Sequence, residues 1–192
     1  RFIQVTGVQT CALPISDLLT TRRSVRKFKD QAVTAEDIKG IIEIAKYAPS
    51  WKNTQTPRYI AVLDDDMKKQ VASDCVLGFE SNQKTISAAP ALIVVTTIDG
   101  RSGYEKDGTP TTSKGTHWQS FDAGIATQTF CLAAWEKGFG TVVMGIFDEQ
   151  KVINVIRAVE GRSVSALIAL GVPDEEPKAP KRKGIDDLLT VK

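Results

Sequence analysis

Three short segments of the 192-residue chain combine residue types that can do chemistry at a built site. The first is Arg22-Arg23-Ser24-Val25-Arg26-Lys27-Phe28, with three arginines, a lysine and a hydroxyl in close succession. Guanidinium groups offer paired N–H donors to phosphate oxygens and the serine adds a neutral one, so the segment suits a phosphate. A solvated basic face is the other reading of such a run. The second segment, Pro49-Ser50-Trp51-Lys52-Asn53-Thr54-Gln55, sets amides and a hydroxyl beside an indole. That mixture suits a flat heteroaromatic ligand, or an ordinary capped loop. The third is Lys181-Arg182-Lys183, far from the first in sequence. Basic clusters at both ends of a near-neutral chain suggest convergence on one anion, with a loose tail as the alternative.

Other chemistries are excluded by what is missing. His117 is the single histidine, so a His-rich metal site is out and a nucleophile–base pair has one possible base. His117 itself reads as an ordinary loop-to-helix residue. No Gly-x-Ser-x-Gly, His-Glu-x-x-His or Walker A pattern occurs. Gly138-Phe139-Gly140 lacks the third glycine of a dinucleotide fingerprint and lies between a helix and a strand, the wrong context. Lys+Arg 25 against Asp+Glu 23 leaves a net charge of +2, no general field for nucleic acid or a membrane surface. No apolar run approaches the roughly 18–20 residues of a membrane span. Cys75 and Cys131 sit in apolar helical patterns and read as reduced core thiols, for which a cytoplasmic setting is natural.

The elements that must position these segments are readable in outline. Thr34, followed by Glu36 and Asp37, predicts an N-cap; Ile38, Ile41, Ile42, Ala45 and Ala48 follow at helical spacing up to Pro49. Arg58–Leu63 and Ala91–Thr97 predict strands, and Met67, Val71, Cys75 and Phe79 predict one amphipathic helix between them. Arg101–Thr116 is a long polar loop of the kind that borders sites. Trp118–Lys137 predicts the longest helix, stopped by Gly138. Then come a strand over Thr141–Ile146, a helix over Glu149–Val159, a strand over Val164–Leu170, and an extended Pro- and Lys-rich tail from Pro173 to Lys183. The irregular interleaving predicts one α+β, or mixed α/β, domain.

Residues 1–16 read differently. They hold one charge, Arg1, and show neither alternation nor helical spacing. Val5–Ser16 resembles translated sequencing adapter, so residues 1–16 are expected to be a non-native segment and residues 17–192 the folded domain.

Taken in order, five motifs resemble the nitroreductase family of FMN-dependent oxidoreductases, over about Asp17 to Leu189. They are RRSVRKF; APSWKNTQ from Ala48 to Gln55; DAGIATQ from Asp122 to Gln128; GFGTVVMGIFD from Gly138 to Asp148; and the closing KRK. The resemblance implies a mixed sheet flanked by helices in an intertwined homodimer. It implies that Arg22, Arg23, Ser24 and Arg26 hold the FMN phosphate and ribityl chain, with Arg182 and Lys183 returning to the phosphate. Pro49, Ser50, Asn53 and Gln55 would contact the flavin across the dimer boundary. Val143, Met144 and Gly145 would lie along the ring, the Gly145 N–H donating to flavin N5. The implied activity is ping-pong hydride transfer from NAD(P)H to a small-molecule acceptor such as a nitroaromatic or quinone, with no catalytic side chain, metal, nucleic acid or membrane. Two departures stand out: Thr56-Pro57-Arg58 follows Gln55 where many members have Gln-Pro-Trp, and Gly145-Ile146 replaces Gly-Gly. The alternatives are a specialised relative, either a flavin-consuming enzyme or a reductive dehalogenase, and a non-enzymatic nucleic-acid binder using the basic ends.

Overall fold

Ala91–Ile98 is apolar or β-branched at nearly every position, which leaves neither face for water and requires an inner strand. In a computed structural model describing residues 14–192, that stretch is β2. The elements run α1 (Ile15–Thr21), α2 (Ala35–Ala45), β1 (Pro57–Val62), α3 (Asp65–Gln70), α4 (Glu80–Ala88), β2 (Ala91–Ile98) and α5 (His117–Glu136). They continue with β3 (Gly140–Met144), α6 (Glu149–Ile156), β4 (Arg162–Gly171) and α7 (Ile185–Leu188). The four strands form one antiparallel sheet in the order β1-β2-β4-β3.

The two-residue period of the strands sorts their side chains into two cores. Leu92, Val94, Leu167, Ala169, Val142 and Met144 face a core closed by Val71, Cys75, Ile86 and Val152. The alternate residues Ile93, Val95, Ala166, Ile168 and Leu170 meet Ile38 and Ile41 of α2 and Phe130, Cys131 and Ala134 of α5. The sheet is thus covered on both faces, with α2 and α5 on one side.

Local chemistry sets the helix ends. Asp37 N donates to Thr34 Oγ1 at 3.1 Å, while the Thr34 N–H and hydroxyl donate to the Asp37 carboxylate at 2.9 and 2.6 Å, a complete capping box. These bonds, the Thr34 hydroxyl's first, hold the Asp37 carboxyl below its ordinary 3.8. A depressed folded-state value means a contribution present above 3.8 and lost as pH falls through the folded value. Thr34→Ala is therefore expected to cost about 1 kcal/mol in urea unfolding at neutral pH. The gap to wild type should narrow as pH falls below 3.8; a pH-independent gap would refute this account. At the end of α5, Phe139 N donates to Ala134 O and Gly138 N to Trp135 O, with Gly138 at φ +82, a Schellman closure.

Several expectations need correction. The single helix from Met67 to Phe79 is broken: α3 passes into a wide turn over Val71–Cys75, and Leu77 and Gly78 take φ of 52 and 72. α4 was not expected, because its buried residues are Asn82, Thr85 and Ile86 and two of these are polar. α2 ends at Ala45 rather than running to Pro49, and β3 ends at Met144, with Gly145 and Ile146 outside the ladder. Of the expected non-native segment, residues 1–13 lie outside the described residues, while Ile15 and Ser16 open α1.

Candidate functional site

The basic segment owes its course to the apolar residues set among its charges. Val25 is fully buried, and a Cβ placed on Gly140 would lie 2.8 Å from Val25 Cβ. Phe28 fills the equivalent position over Gly171, where a Cβ would lie 2.8 Å from its ring. Gly140 and Gly171 are register partners across β3 and β4, so the two missing side chains open one track over the end of the sheet. Along that track Ser24 pairs with Thr141 in parallel, and Val25 N donates to Thr141 O at 3.0 Å.

The chain leaving β4 then runs beside the same segment. Lys29 N donates to Val172 O at 2.9 Å and Asp174 N to Lys27 O at 3.0 Å. Glu175 Oε1 accepts from Arg26 N at 2.6 Å and Lys27 N at 3.2 Å. This short ladder is why the two distant basic clusters meet. Arg22, Arg23, Ser24, Arg26 and Arg182, with Lys178, line one cleft of about 420 Å³ that has no carboxylate in its wall. Among the described residues, every ion pair uses a lysine, so none of these arginines is neutralised by one. Lys183 lies outside the lining.

Two residues beyond Thr141, about 7 Å along β3, Val143 points to the α5 side and is 47% exposed. It lines a cavity of about 640 Å³ with Gln119, Gly124 and Thr127 of α5 and Ser163 and Ser165 of β4. A Cβ on Gly124 would meet nothing, so this part of the helix surface is open. Gln119 is 7% exposed; its Nε2 donates to Thr97 Oγ1 and Asp99 Oδ1, both at 2.8 Å, and its Oε1 has no partner. Met144 points the other way, into the opposite core. Gly145 is exposed just past the last ladder pair, Met144 with Leu167. The turn it begins is tethered by Asn82 Nδ2 donating to Ile146 O at 3.3 Å and Asp148 N donating to Cys75 O at 2.7 Å.

The Pro49–Gln55 loop lies elsewhere on the same chain. Gln55 lines a separate cleft of about 340 Å³ with Tyr59 and Ala126, and Pro49, Ser50 and Asn53 line neither of the clefts above. Lys52, Asn53 and Gln55 take φ of 43, 54 and 49, a run of left-handed non-glycine residues that only a strongly held loop sustains. Ser50 Oγ accepts from Gln55 N at 2.8 Å, and the Trp51 ring rests on Trp118 with centroids 4.7 Å apart. Beneath the loop, Asp122 of α5 accepts from Trp51 N.

His117 is exposed in the first turn of α5. Burial pushes the Cys75 and Cys131 thiols above their ordinary value, which makes them poor nucleophiles. Among the described residues no group of three His, Cys, Asp or Glu could hold a metal ion, and no helix is long and apolar enough to cross a membrane. Sequence reasoning singled out neither Asn82 nor Gln119, and gave Asp122 and Gly124 no role. The sequence signals were the DAGIATQ motif that contains Asp122 and Gly124, and the placing of Gly124 inside a predicted helix.

A family model described as the nitroreductase family matches residues 19–172. A provisionally named NADH dehydrogenase/NAD(P)H nitroreductase of Archaeoglobus fulgidus is 29% identical over 163 residues, covering 83% of this chain and 85% of the relative. An oxygen-insensitive NADPH nitroreductase of Helicobacter pylori is 26% identical over 201 residues, covering 90% and 94%. The crystal structure of a nitroreductase family protein from Clostridium novyi NT superposes with a TM-score of 0.72 at 26% identity, over 88% of this chain and 89% of that one. With sheet, motifs and family model in agreement over most of its length, the chain belongs to the nitroreductase family.

Proposed function

We propose that this family member is a homodimeric FMN oxidoreductase working in two half-reactions at one site: NAD(P)H delivers hydride and leaves, and a nitroaromatic or quinone acceptor replaces it. Enzyme class, flavin and nicotinamide reductant follow from family membership; the mechanism, acceptor class and residue roles are the proposal. The observation that carries it is the convergence of Arg22, Arg23, Arg26 and Arg182 with Ser24 in one cleft without a carboxylate. That donor set fits a phosphate dianion, each charge-assisted bond contributing about 1.5–3 kcal/mol. Lys183 would add charge from the rim.

The cavity beside Val143 fits the ring, with an open α5 surface at Gly124 and an orphaned acceptor at Gln119 Oε1 for a ligand N–H. The Gly145 N–H, at the free end of β3, would donate to flavin N5, with Val143 and Met144 carrying the backbone along the ring. Bound FMN supplies the redox chemistry, and the protein holds, orients and shields it. Pro49, Ser50, Asn53 and Gln55 stand apart from these clefts within one chain, which supports their meeting the flavin of a second copy. Exposed Phe121, Ile146, Leu188 and Leu189 offer apolar surface for that contact.

Purified protein is expected to be yellow, or to become so with added FMN, and to oxidise NAD(P)H with a quinone or nitroaromatic, giving parallel double-reciprocal lines. A preparation that stays colourless in excess FMN would overturn the reading. Mixing Arg22→Ala with Asn53→Ala chains should regain activity if sites are shared between subunits; no regain would refute the sharing.

A further inference from the structure

The structure assigns to Asp122 a role outside the cofactor's direct contacts: we propose that this buried carboxylate is the positioning residue for the Ser50–Gln55 turn. It acts as hydrogen-bond acceptor for Trp51 N–H and also ties the Arg101–Thr116 loop to that turn. The link from the turn to the flavin rests on the function proposed above; the anchoring does not.

Asp122 is 2% exposed, and no cation lies within ion-pair distance among the described residues. A carboxylate stripped of water and left without a counter-charge is costly, so its hydrogen bonds must replace hydration. It receives them from two loops. Trp51 N lies 3.1 and 3.0 Å from its two oxygens, and the fully buried Ser102 hydroxyl donates to Oδ2 at 2.6 Å. Trp51 opens the turn whose next residues hold left-handed backbone at Lys52, Asn53 and Gln55. An acceptor at the first N–H of such a turn satisfies a donor that has no partner inside it.

The same two loops touch again above the carboxylate. The Trp51 ring rests on Trp118, and a Cβ on Gly103 would lie 2.8 Å from Trp118 Cδ1, so both loops close on one indole. Lys52 Nζ lies 3.4 Å from Glu105 Oε1, an exposed pair of small value. The interior contact at Asp122 is the one shielded from water, and it carries the coupling.

Three variants test this: Asp122→Ala, Asp122→Asn and, as a control for general destabilisation, Ile156→Val in α6, on the other face of the sheet. The first readout needs no cofactor, being hydrogen exchange at the Trp51, Asn53, Thr54 and Gln55 amides of the dimer stripped of FMN. The second is FMN affinity on reconstitution. Asp122→Ala is expected to speed exchange at these amides and weaken FMN binding, each about tenfold, as loss of one buried acceptor implies. Asp122→Asn, which keeps an acceptor for Trp51 N–H, should restore both to within about twofold, and Ile156→Val should change neither. Unchanged exchange in Asp122→Ala, or failure of the asparagine to rescue, would overturn the anchoring. Faster exchange with unchanged FMN affinity would overturn the coupling to the site. If wild-type protein binds no FMN but exchange responds as expected, the flavin reading falls and the anchor stands.

Discussion

Replacing Arg22 or Arg182 with alanine is expected to weaken FMN binding by about 10- to 100-fold while leaving the thermal midpoint close to wild type. Both side chains line the same cleft, with no carboxylate in its wall to share their charge. Neither belongs to a core: Arg182 is exposed and Arg22 half-buried, so the loss should fall on the ligand rather than on the fold. Lys183→Ala is the internal comparison. Its residue is adjacent in sequence but outside the lining, so it should cost less than Arg182→Ala. Fluorescence titration of FMN into stripped protein measures all three. Equal occupancy in both arginine variants, or a Lys183 effect as large as that of Arg182, would refute the phosphate assignment. Raising salt should weaken wild-type binding more than that of either arginine variant, because fewer charges remain to be screened.

Gly140→Ala should damage both the fold and the site. The new Cβ would lie 2.8 Å from Val25 Cβ and Cγ2 and 2.9 Å from Cγ1. Because the Val25 Cβ itself is in the way, no rotamer relieves the clash; backbone must move. Either β3 shifts against β4 or the Arg22–Phe28 segment lifts off the sheet, and the arginines move with it. Overpacking of this kind costs about 1–3 kcal/mol, or about 2–12 °C in thermal midpoint at this chain length. FMN affinity should fall as well, since Ser24 and Val25 are the points at which the segment joins β3. Gly184→Ala, where an added Cβ meets nothing and φ is −69, is the matched control and should be neutral. A Gly140→Ala protein with wild-type midpoint and affinity would show that the glycine track does not seat the segment.

Some elements were legible because their physics is local. The run at Ala91–Thr97 has no face to give to water, and the observed strand exceeds it by one residue, Ile98. Thr34 was readable as a cap because Asp37 stands three residues on, the spacing a capping box needs. α4 was not legible: its sequence ESNQKTISA is polar, and it is a helix because Asn82, Thr85 and Ile86 find a buried surface that only the folded chain supplies. The break before it was equally hidden, since Leu77 has no local preference for its φ of 52.

The candidate site divides the same way. Residue types at Arg22–Arg26, Pro49–Gln55 and Lys181–Lys183 suited a phosphate and a flat ring, but equally a solvated face, a capped loop and a loose tail, because guanidinium, amide and indole groups carry their recognition chemistry wherever they are placed. Which of them share a cleft was decided by tertiary structure. The glycine pair at Gly140 and Gly171 lays the first basic segment over the sheet end, and the ladder past β4 brings the tail alongside it. Roles for Gln119, Asn82 and Asp122 came into view only there. Their partners lie 20 or more residues away along the chain, and a hydrogen bond across that separation exists only once the sheet and α5 have brought both ends together. Chemistry resides in the side chain and is written in the sequence; proximity is a property of the packed fold.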